Sequence, residues 1–471
     1  MTARPPSFAA RAMAATSQPL ATLAALRLLE RGGNAADAAI GAAAVLSVTE
    51  PMATGLGGDA FALVWRDGEP AGLDAAGPAP AEAPPDALIA VTGPQSVTVP
   101  GAVAGWAALS ERFGRLGLDA CLASAVDAAA NGFAVGARTA AEWRRAPALP
   151  GGFGPAPRAG ATFRHPELAA SLRAIAEEGP QTVYTGATGR AIASACWLSE
   201  ADLAGYEPRW VAPLRHGYRG VEVVELPPPT QGVAALEALA LLERAAPTPA
   251  NTVTSVRLAL EDALATVRDG ADVTGLLEAG FVAQRLCAAA REVREPAGGT
   301  VYLCVVDEDR MAVSFIQSLF GAFGSGVVAP GTGIVLHNRG ACFAVGGAVE
   351  PGRRPYHTLM PGLLLRDGGL LGPFGVMGAF IQAQAQVQFV SAVVDEGLDP
   401  QAALDRPRFR VDRRLLRLEE GLDPGAFAGL GVEVRREGDI TEFGGGQAIL
   451  ATAEGLVGGS DSRKDGIAAG F

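Results

Sequence analysis

The sequence contains very little lysine, histidine or cysteine. Lys464 is the one lysine among 38 Lys and Arg residues, and 471 residues include four histidines and five cysteines. The preference for arginine, together with many alanines, is typical of genomic base composition rather than of chemistry. An odd number of widely spaced cysteines does not predict a disulfide framework or a zinc motif, and the histidines lack metal-ligand spacing. We expect buried thiols, no metal and no cofactor.

Long apolar runs are also missing. No run exceeds about ten apolar residues without a glycine or a charge, and Met1 to Ser17 carries early prolines instead of an apolar core. We therefore expect no membrane span, no signal peptide and a cytoplasmic location. The net charge of −12 argues against nucleic acid and anionic membranes as partners. With 49% hydrophobic and 19% charged residues, the chain can bury a large core.

The most informative segment surrounds Thr300. Gly298 and Gly299 precede this threonine, and the alternating apolar stretch Val301 to Asp307 predicts a strand. A second strand, Ala312 to Ser318, leads into a glycine-rich loop. Taken alone, a threonine in this position is typical of an ordinary strand start. The polar stretch from Arg291 to Gly299 is expected to be an exposed loop that joins a rigid strand at Thr300.

Six further motifs accompany the Thr300 segment: Gly32–Ala38, Gly55–Gly58, Val99–Trp106, Pro228–Gly232, Asp399–Arg408 and Ser460–Gly466. In this order they resemble the γ-glutamyltranspeptidase family of N-terminal nucleophile (Ntn) hydrolases, nearly from end to end. The resemblance implies an α/β (α+β) fold, the four-layer αββα sandwich, built from both halves of the chain. It also implies self-cleavage between Gly299 and Thr300. The products would be a mostly helical large-subunit segment, 1–299, and a small-subunit segment, 300–471, that form a heterodimer; further dimerisation stays open.

The resemblance gives Thr300 the role of nucleophile. A threonine hydroxyl needs a base, and cleavage would free the α-amine of the same residue, whose ordinary pKa is about 8. The glycine pair before it would allow the bent backbone that attack on the Gly299 carbonyl requires. Ser318 falls where the family has a hydroxyl that bonds the nucleophile, although a strand-end serine is an equal alternative. Gly378 and Ala379 match an oxyanion loop whose N–H groups stabilise a tetrahedral intermediate.

The substrate-reading positions depart from the family. The loop from Leu73 to Pro80 has no arginine for a substrate carboxylate, and Phe320 and Cys342 replace polar partners of a substrate ammonium. His357 and Thr358 stand where the family has paired serines, and Arg339 is a candidate anion-binding residue. For His357 a structural role in a turn remains an equal alternative. The segments around residues 354–361 and 375–379 resemble the branch that includes oxamate amidohydrolase.

Three hypotheses follow. The first is a self-cleaving Ntn amidohydrolase that acts on a small acidic, oxamate-like amide through an acyl-enzyme. The second is a γ-glutamyltransferase or glutathione hydrolase with altered substrate contacts. The third is an uncleaved, non-catalytic relative with a binding role. The sequence does not give the exact amide, nor the preference for water over an acceptor amine.

Overall fold

The structure is a computed structural model that describes residues 4–84, 86–287, 299–412 and 414–471. Most of the predicted polar loop, Arg291 to Gly298, lies outside these residues. No helix within them is both long and apolar enough to cross a membrane. The helices are α1 (Pro19–Glu30), α2 (Ala35–Thr49), α3 (Ala102–Phe113), α4 (Leu118–Asn131), α5 (Ala137–Arg145), α6 (Pro166–Glu178), α7 (Gln181–Tyr184), α8 (Ala187–Ala195), α9 (Glu200–Ala204), α10 (Gly232–Glu243), α11 (Pro249–Thr266), α12 (Ala279–Arg285), α13 (Ile381–Asp395) and α14 (Pro400–Asp405).

Two large antiparallel sheets form the centre of the described structure. The nucleophile sheet has the spatial order β21 (Ile467–Gly470), β2 (Met13–Thr16), β10 (Gly299–Val306), β11 (Ala312–Phe320), β3 (Asp59–Arg66), β4 (Glu69–Ala75) and β7 (Arg209–Val211). The second sheet has the order β1 (Ser7–Ala9), β20 (Leu456–Ser460), β19 (Gly445–Ala451), β15 (Gly369–Met377), β14 (Gly362–Arg366), β9 (Val221–Glu225) and β8 (Leu214–Tyr218). Short strands lie outside them: β5 (Phe133–Ala134), β6 (Thr162–Phe163), β12 (Val328–Ala329), β13 (Ile334–Val335), β16 (Phe409–Asp412), β17 (Leu415–Leu418) and β18 (Glu433–Arg436).

The hydrophobic core is arranged in layers. Between the two sheets, side chains such as Phe61 and Tyr302 of one sheet pack with Leu363 and Ile449 of the other. Helices α1 to α4 and α6 cover the outer face of the nucleophile sheet, and α10, α11 and α13 cover the outer face of the second sheet. Burial of both faces of each sheet gives the expected four-layer αββα sandwich. Both sheets take strands from before and after residue 300, as predicted.

Local sequence explains where α2 begins. Asn34 caps α2, with its side chain accepting the N–H of Ala36 and Asp37 and the Asp37 carboxylate accepting the N–H of Asn34. The sequence from Val99 to Phe133 has a helical pattern throughout, but the structure divides it into α3 and α4. The buried Asp37 carboxylate also accepts the backbone N–H groups of Arg115 and Leu116, so a contact distant in sequence stabilises the break.

Candidate active site at Thr300

Thr300 lies where the register between β10 and β11 shifts. Gly299 pairs with Phe320, but Val301 pairs with Gln317, so Thr300 faces two residues, Ser318 and Leu319. Such a bulge changes the direction of side chains and is common beside active sites. Thr300 is 4% exposed and Ser318 is fully buried. The nucleophile predicted from the sequence therefore lies at an irregular strand end inside the sandwich.

Hydrogen bonds connect Thr300, Ser318 and Gly299. The Thr300 hydroxyl donates to Ser318 Oγ at 3.3 Å, and the Ser318 hydroxyl donates to the Gly299 carbonyl oxygen at 2.6 Å. The backbone N–H of Phe320 also donates to Ser318 Oγ, at 2.7 Å. Ser318 thus joins the hydroxyl of one residue to the carbonyl of the residue before it. This arrangement can polarise the Gly299–Thr300 peptide bond and carry a proton between the two groups.

A cavity of about 460 Å³ adjoins Thr300. Its wall includes Gly299, Thr300 and Gly378, three of the positions selected from the sequence. This volume falls in the range of small-molecule sites, roughly 300–1,000 Å³. The cavity therefore has room for an acyl group together with a leaving amine.

Gly378 and Ala379 follow the end of β15 and have left-handed backbones. Gly378 has φ +125° and Ala379 has φ +58°. A Cβ at Gly378 would lie 2.8 Å from Ile381 Cγ2 and 3.0 Å from Gly444 Cα. Within the described ranges, neither N–H donates a hydrogen bond to a protein group. Two N–H groups are therefore available beside the cavity, as an oxyanion site requires, although Ala379 itself does not line it.

The other candidate residues gather around Asp59, which is fully buried. The Asp59 Oδ2 atom lies 2.9 Å from His337 Nδ1, 3.3 Å from Arg339 Nε and 3.4 Å from His357 Nε2. The Arg339 guanidinium stacks 4.5 Å from the centre of the Phe320 ring. We call these five residues the Asp59 cluster: Asp59, His337, Arg339, His357 and Phe320. Because Asp59 pairs with Ser318 across β3 and β11, the cluster lies next to the strand end that carries Ser318.

Electrostatic interactions keep the Asp59 carboxylate ionised at the centre of this cluster. Burial opposes the charge of Asp59, but His337 and His357 outweigh it and hold the pKa of this carboxyl well below its usual range. Burial, with the nearby Arg339, lowers the pKa of His357 to about 3. His357 is therefore neutral near pH 7. It also packs edge-on against Phe61, with ring centres 4.7 Å apart.

The structure thus separates the sequence-predicted residues into two groups. Gly299, Thr300, Ser318 and Gly378 meet at the cavity or at the strand end beside it. His357 and Arg339 are fully buried, Phe320 is 3% exposed, and none of the three is in the cavity wall. Thr358 is also fully buried, and its hydroxyl has no partner among the described residues.

Comparison with known proteins identifies the family of the chain. The family described as gamma-glutamyltranspeptidase matches residues 21–471. The chain belongs to the γ-glutamyltranspeptidase family. It is 33% identical to the oxamate amidohydrolase proenzyme of Klebsiella pneumoniae, over 98% of each protein. It is also 33% identical to the glutathione hydrolase-like YwrD proenzyme of Bacillus subtilis, over 96% of this chain and 97% of that protein.

Solved structures extend the similarity to the fold. A cephalosporin acylase from Bacillus halodurans superposes with a TM-score of 0.93 at 36% identity, over 100% of this chain and 98% of that one. The members of the γ-glutamyltranspeptidase family that this chain resembles are hydrolases of the Ntn type, and this chain is one as well. These relatives are named after different substrates, so family membership leaves the substrate of this chain open.

The sequence alone does not indicate that charged side chains line the cavity beside Thr300. Arg145, Arg410 and Lys464 lie in its wall together with Glu142 and Glu442. They come from α5, from β16, from the short 3-10 helix Ile440–Phe443 and from the turn after β20, segments that are distant along the chain. In the sequence, Lys464 stands out as the one lysine and as part of the Ser460–Gly466 motif, but neither signal places it at the cavity.

Proposed function

We propose that this chain cleaves itself between Gly299 and Thr300 and then, with Thr300 as nucleophile, hydrolyses a small acidic, oxamate-like amide. The observation that carries the proposal is the hydrogen-bonded path from the Thr300 hydroxyl through Ser318 to the Gly299 carbonyl. It connects the attacking oxygen to the oxygen that becomes negative during cleavage. The proposed products are the segments 1–299 and 300–471, which remain together because both sheets contain strands of each.

Self-cleavage would begin with attack of Thr300 Oγ on the carbonyl carbon of Gly299. The C–O bond forms, the C–N bond breaks, and the hydroxyl proton moves to the departing nitrogen, which becomes the α-amine of Thr300. The Ser318 hydroxyl stabilises the oxyanion on Gly299. Water then hydrolyses the ester, giving a carboxylate on Gly299 and restoring the Thr300 hydroxyl.

Turnover would repeat this chemistry on a substrate amide. The free α-amine of Thr300 takes the hydroxyl proton, Oγ attacks the amide carbon, and the leaving amine departs with the proton. The N–H groups of Gly378 and Ala379 stabilise the oxyanion. Water then releases the acid from the acyl-enzyme. Ser318, freed from Gly299 by cleavage, keeps the Thr300 hydroxyl oriented.

The surroundings of the cavity favour a substrate other than a γ-glutamyl group. The positions that the family resemblance matches to glutamyl contacts, Phe320, Cys342 and His357, are buried, and Phe320 and His357 belong to the Asp59 cluster. Cys342 contacts Arg339, with its Sγ 3.6 Å from Nη1. These side chains are occupied with one another. Loss of charge-assisted contacts worth about 1.5–3 kcal/mol each predicts weak γ-glutamyl binding.

Cleavage is tested by a denaturing gel and intact mass of the purified protein. Wild type is expected to give two fragments that divide at Gly299–Thr300, Thr300→Ala a single chain, and Thr300→Ser, which keeps a hydroxyl, two fragments again. Unchanged splitting of Thr300→Ala would assign the cut to another protease. A wild type that never splits would instead support the uncleaved, non-catalytic relative.

The substrate is tested on matured enzyme with oxamate and with a γ-glutamyl anilide. We expect kcat/KM to be roughly tenfold or more higher for the acidic amide, since one lost charge-assisted contact already has that effect. A higher value for the glutamyl substrate would support the γ-glutamyltransferase or glutathione hydrolase alternative instead.

A further inference from the structure

The one lysine of the chain lies in the wall of the Thr300 cavity. Its side chain is 11% exposed and lies close to the carboxylate of Glu142, with Nζ 2.5 Å from Oε1. Every other basic position of this arginine-rich sequence, including Arg145 and Arg410 in the same wall, is arginine. An ammonium is a compact charge, whereas a guanidinium is a broad planar fork. Lys464 therefore supplies the cavity with a different kind of cation.

The residues on both sides of Lys464 hold it in place. The Asp461 carboxylate accepts hydrogen bonds from Arg408 and from Arg463. The Asp465 carboxylate accepts the backbone N–H and the hydroxyl of Thr139, in the first turn of α5. The same helix carries Glu142. Because its neighbours make these structural contacts, Lys464 is positioned before any ligand arrives, which lowers the cost of binding.

The ammonium also has unused hydrogen-bonding capacity. It has three N–H donors, and Glu142 is its one hydrogen-bond acceptor within the described ranges. Burial disfavours the charge, but the carboxylates of Glu142 and Glu50 outweigh burial and raise the pKa of Lys464. The remaining donors are thus charged and lie at a cavity wall, where a ligand oxygen can accept them.

The cations of the wall have partners, and they differ in exposure. Arg145 pairs with Asp439, and Arg410 donates to the backbone oxygen and the carboxylate of Glu442. Arg145 is 53% exposed, whereas the side chains of Arg410 and Lys464 are about 10% exposed. Lys464 is therefore a recessed cation, and its shielding from solvent strengthens its attraction for an anion.

We propose that Lys464 binds a carboxylate on the acyl part of the substrate, so that the substrates are monoamides of dicarboxylic acids. This inference rests on the proposed function in one point, because it takes Thr300 as the site of amide cleavage. The evidence for the anion site comes from the cavity wall alone. Binding of the product dicarboxylate can therefore be measured without any turnover.

The first test is calorimetric titration with oxalate, succinate and glutarate, using neutral glutaramide for comparison. Wild type is expected to bind at least one dicarboxylate and to bind glutaramide much more weakly. Lys464→Met should raise the Kd for that dicarboxylate at least tenfold, and Lys464→Arg should raise it less. Arg115→Met, which removes a surface arginine paired with Asp309 away from the cavity, should leave it unchanged. Equal affinity of wild type and Lys464→Met, or no dicarboxylate binding by wild type, would overturn the proposal.

The second test compares glutaryl and butyryl p-nitroanilides, which differ by the terminal carboxylate. Lys464→Met should lower kcat/KM for the glutaryl substrate tenfold to a hundredfold and change the butyryl value less than about threefold. Equal losses on both substrates would contradict a carboxylate anchor. If Lys464→Met fails to fold because Glu142 loses its partner, the double variant Glu142→Gln/Lys464→Met removes both charges and is measured instead. Dicarboxylate binding without turnover of any amide would reject the proposed function but not the anion site.

Discussion

The Ser318 hydroxyl donates a hydrogen bond of 2.6 Å to the carbonyl oxygen of Gly299. The carbonyl belongs to the peptide bond that precedes Thr300, and the same serine oxygen accepts the Thr300 hydroxyl. Any buried serine needs hydrogen-bond partners, but the partners of Ser318 are the two groups that would react during cleavage. The pair therefore favours a role for Ser318 in breaking this bond, before any role in turnover.

Ser318→Ala is expected to slow self-cleavage by roughly a hundredfold to a thousandfold, because loss of one oxyanion donor has that effect. The measurement is the fraction of intact chain against time after synthesis. Ser314→Ala is the matched control, since Ser314 is a buried serine of the same strand that bonds Tyr302 instead of Gly299. Equal slowing in both variants would indicate general damage to β11 rather than a specific role.

Gly378→Ala and Ala379→Gly should have opposite effects. A Cβ at Gly378 would lie too close to Gly444 and Ile381 at a φ of +125°, so the alanine variant should move the N–H and lower kcat at least tenfold. Ala379→Gly removes the strain of an alanine in the left-handed region and keeps the backbone N–H. It should raise the free energy of unfolding by about 1 kcal/mol and leave kcat nearly unchanged. Kinetics and melting of both variants provide the check. An unaffected kcat in Gly378→Ala would argue against an oxyanion role for this loop.

His357→Ala is expected to lower the melting temperature by several degrees and to slow maturation, because it empties a sealed space against Phe61 and removes a partner of Asp59. Fully matured variant enzyme should keep kcat/KM near the wild-type value. His216→Ala, in β8 and outside the Asp59 cluster, is the comparison. A large kinetic loss with normal stability would instead support His357 as a substrate-binding residue.

Glu50 should make stability depend on pH. Burial raises its pKa from 4.5 to about 7, despite the nearby Lys464 and a hydrogen bond from Ser17. Because the folded state holds this proton more tightly than the unfolded state, the stabilisation is present below pH 4.5 and is lost as the pH rises to about 7. Glu50→Gln cannot ionise, so its stability relative to wild type should increase by roughly 3 kcal/mol across this window.

The measurement is denaturant unfolding in a Thr300→Ala background, which is expected to remain a single chain, so that dissociation of fragments does not contribute to the transition. The exposed Glu111→Gln serves as the control for removing one carboxylate. A constant difference between Glu50→Gln and its parent at all pH values would show that Glu50 does not titrate in this window.

Much of the fold followed from local chemistry. Asn34 and Asp37 specify the start of α2 because short polar side chains satisfy the free N–H groups of a helix end. Apolar alternation after Thr300 specified a buried strand, and the ordered motifs indicated the αββα sandwich. The boundary between α3 and α4 was not predictable in this way. It depends on backbone N–H groups bonded to Asp37, nearly eighty residues earlier in the chain.

The sequence by itself determined the proposed nucleophile, the small residues around it and the family, because these depend on residue types in a fixed local order. Only the tertiary structure decided what faces Thr300. It placed His357, Arg339 and Phe320 in the closed Asp59 cluster, and it brought Lys464 into the cavity wall with Arg410 and Glu142. Burial and charge pairing arise from segments that meet only when both sheets have formed, so no local pattern records them.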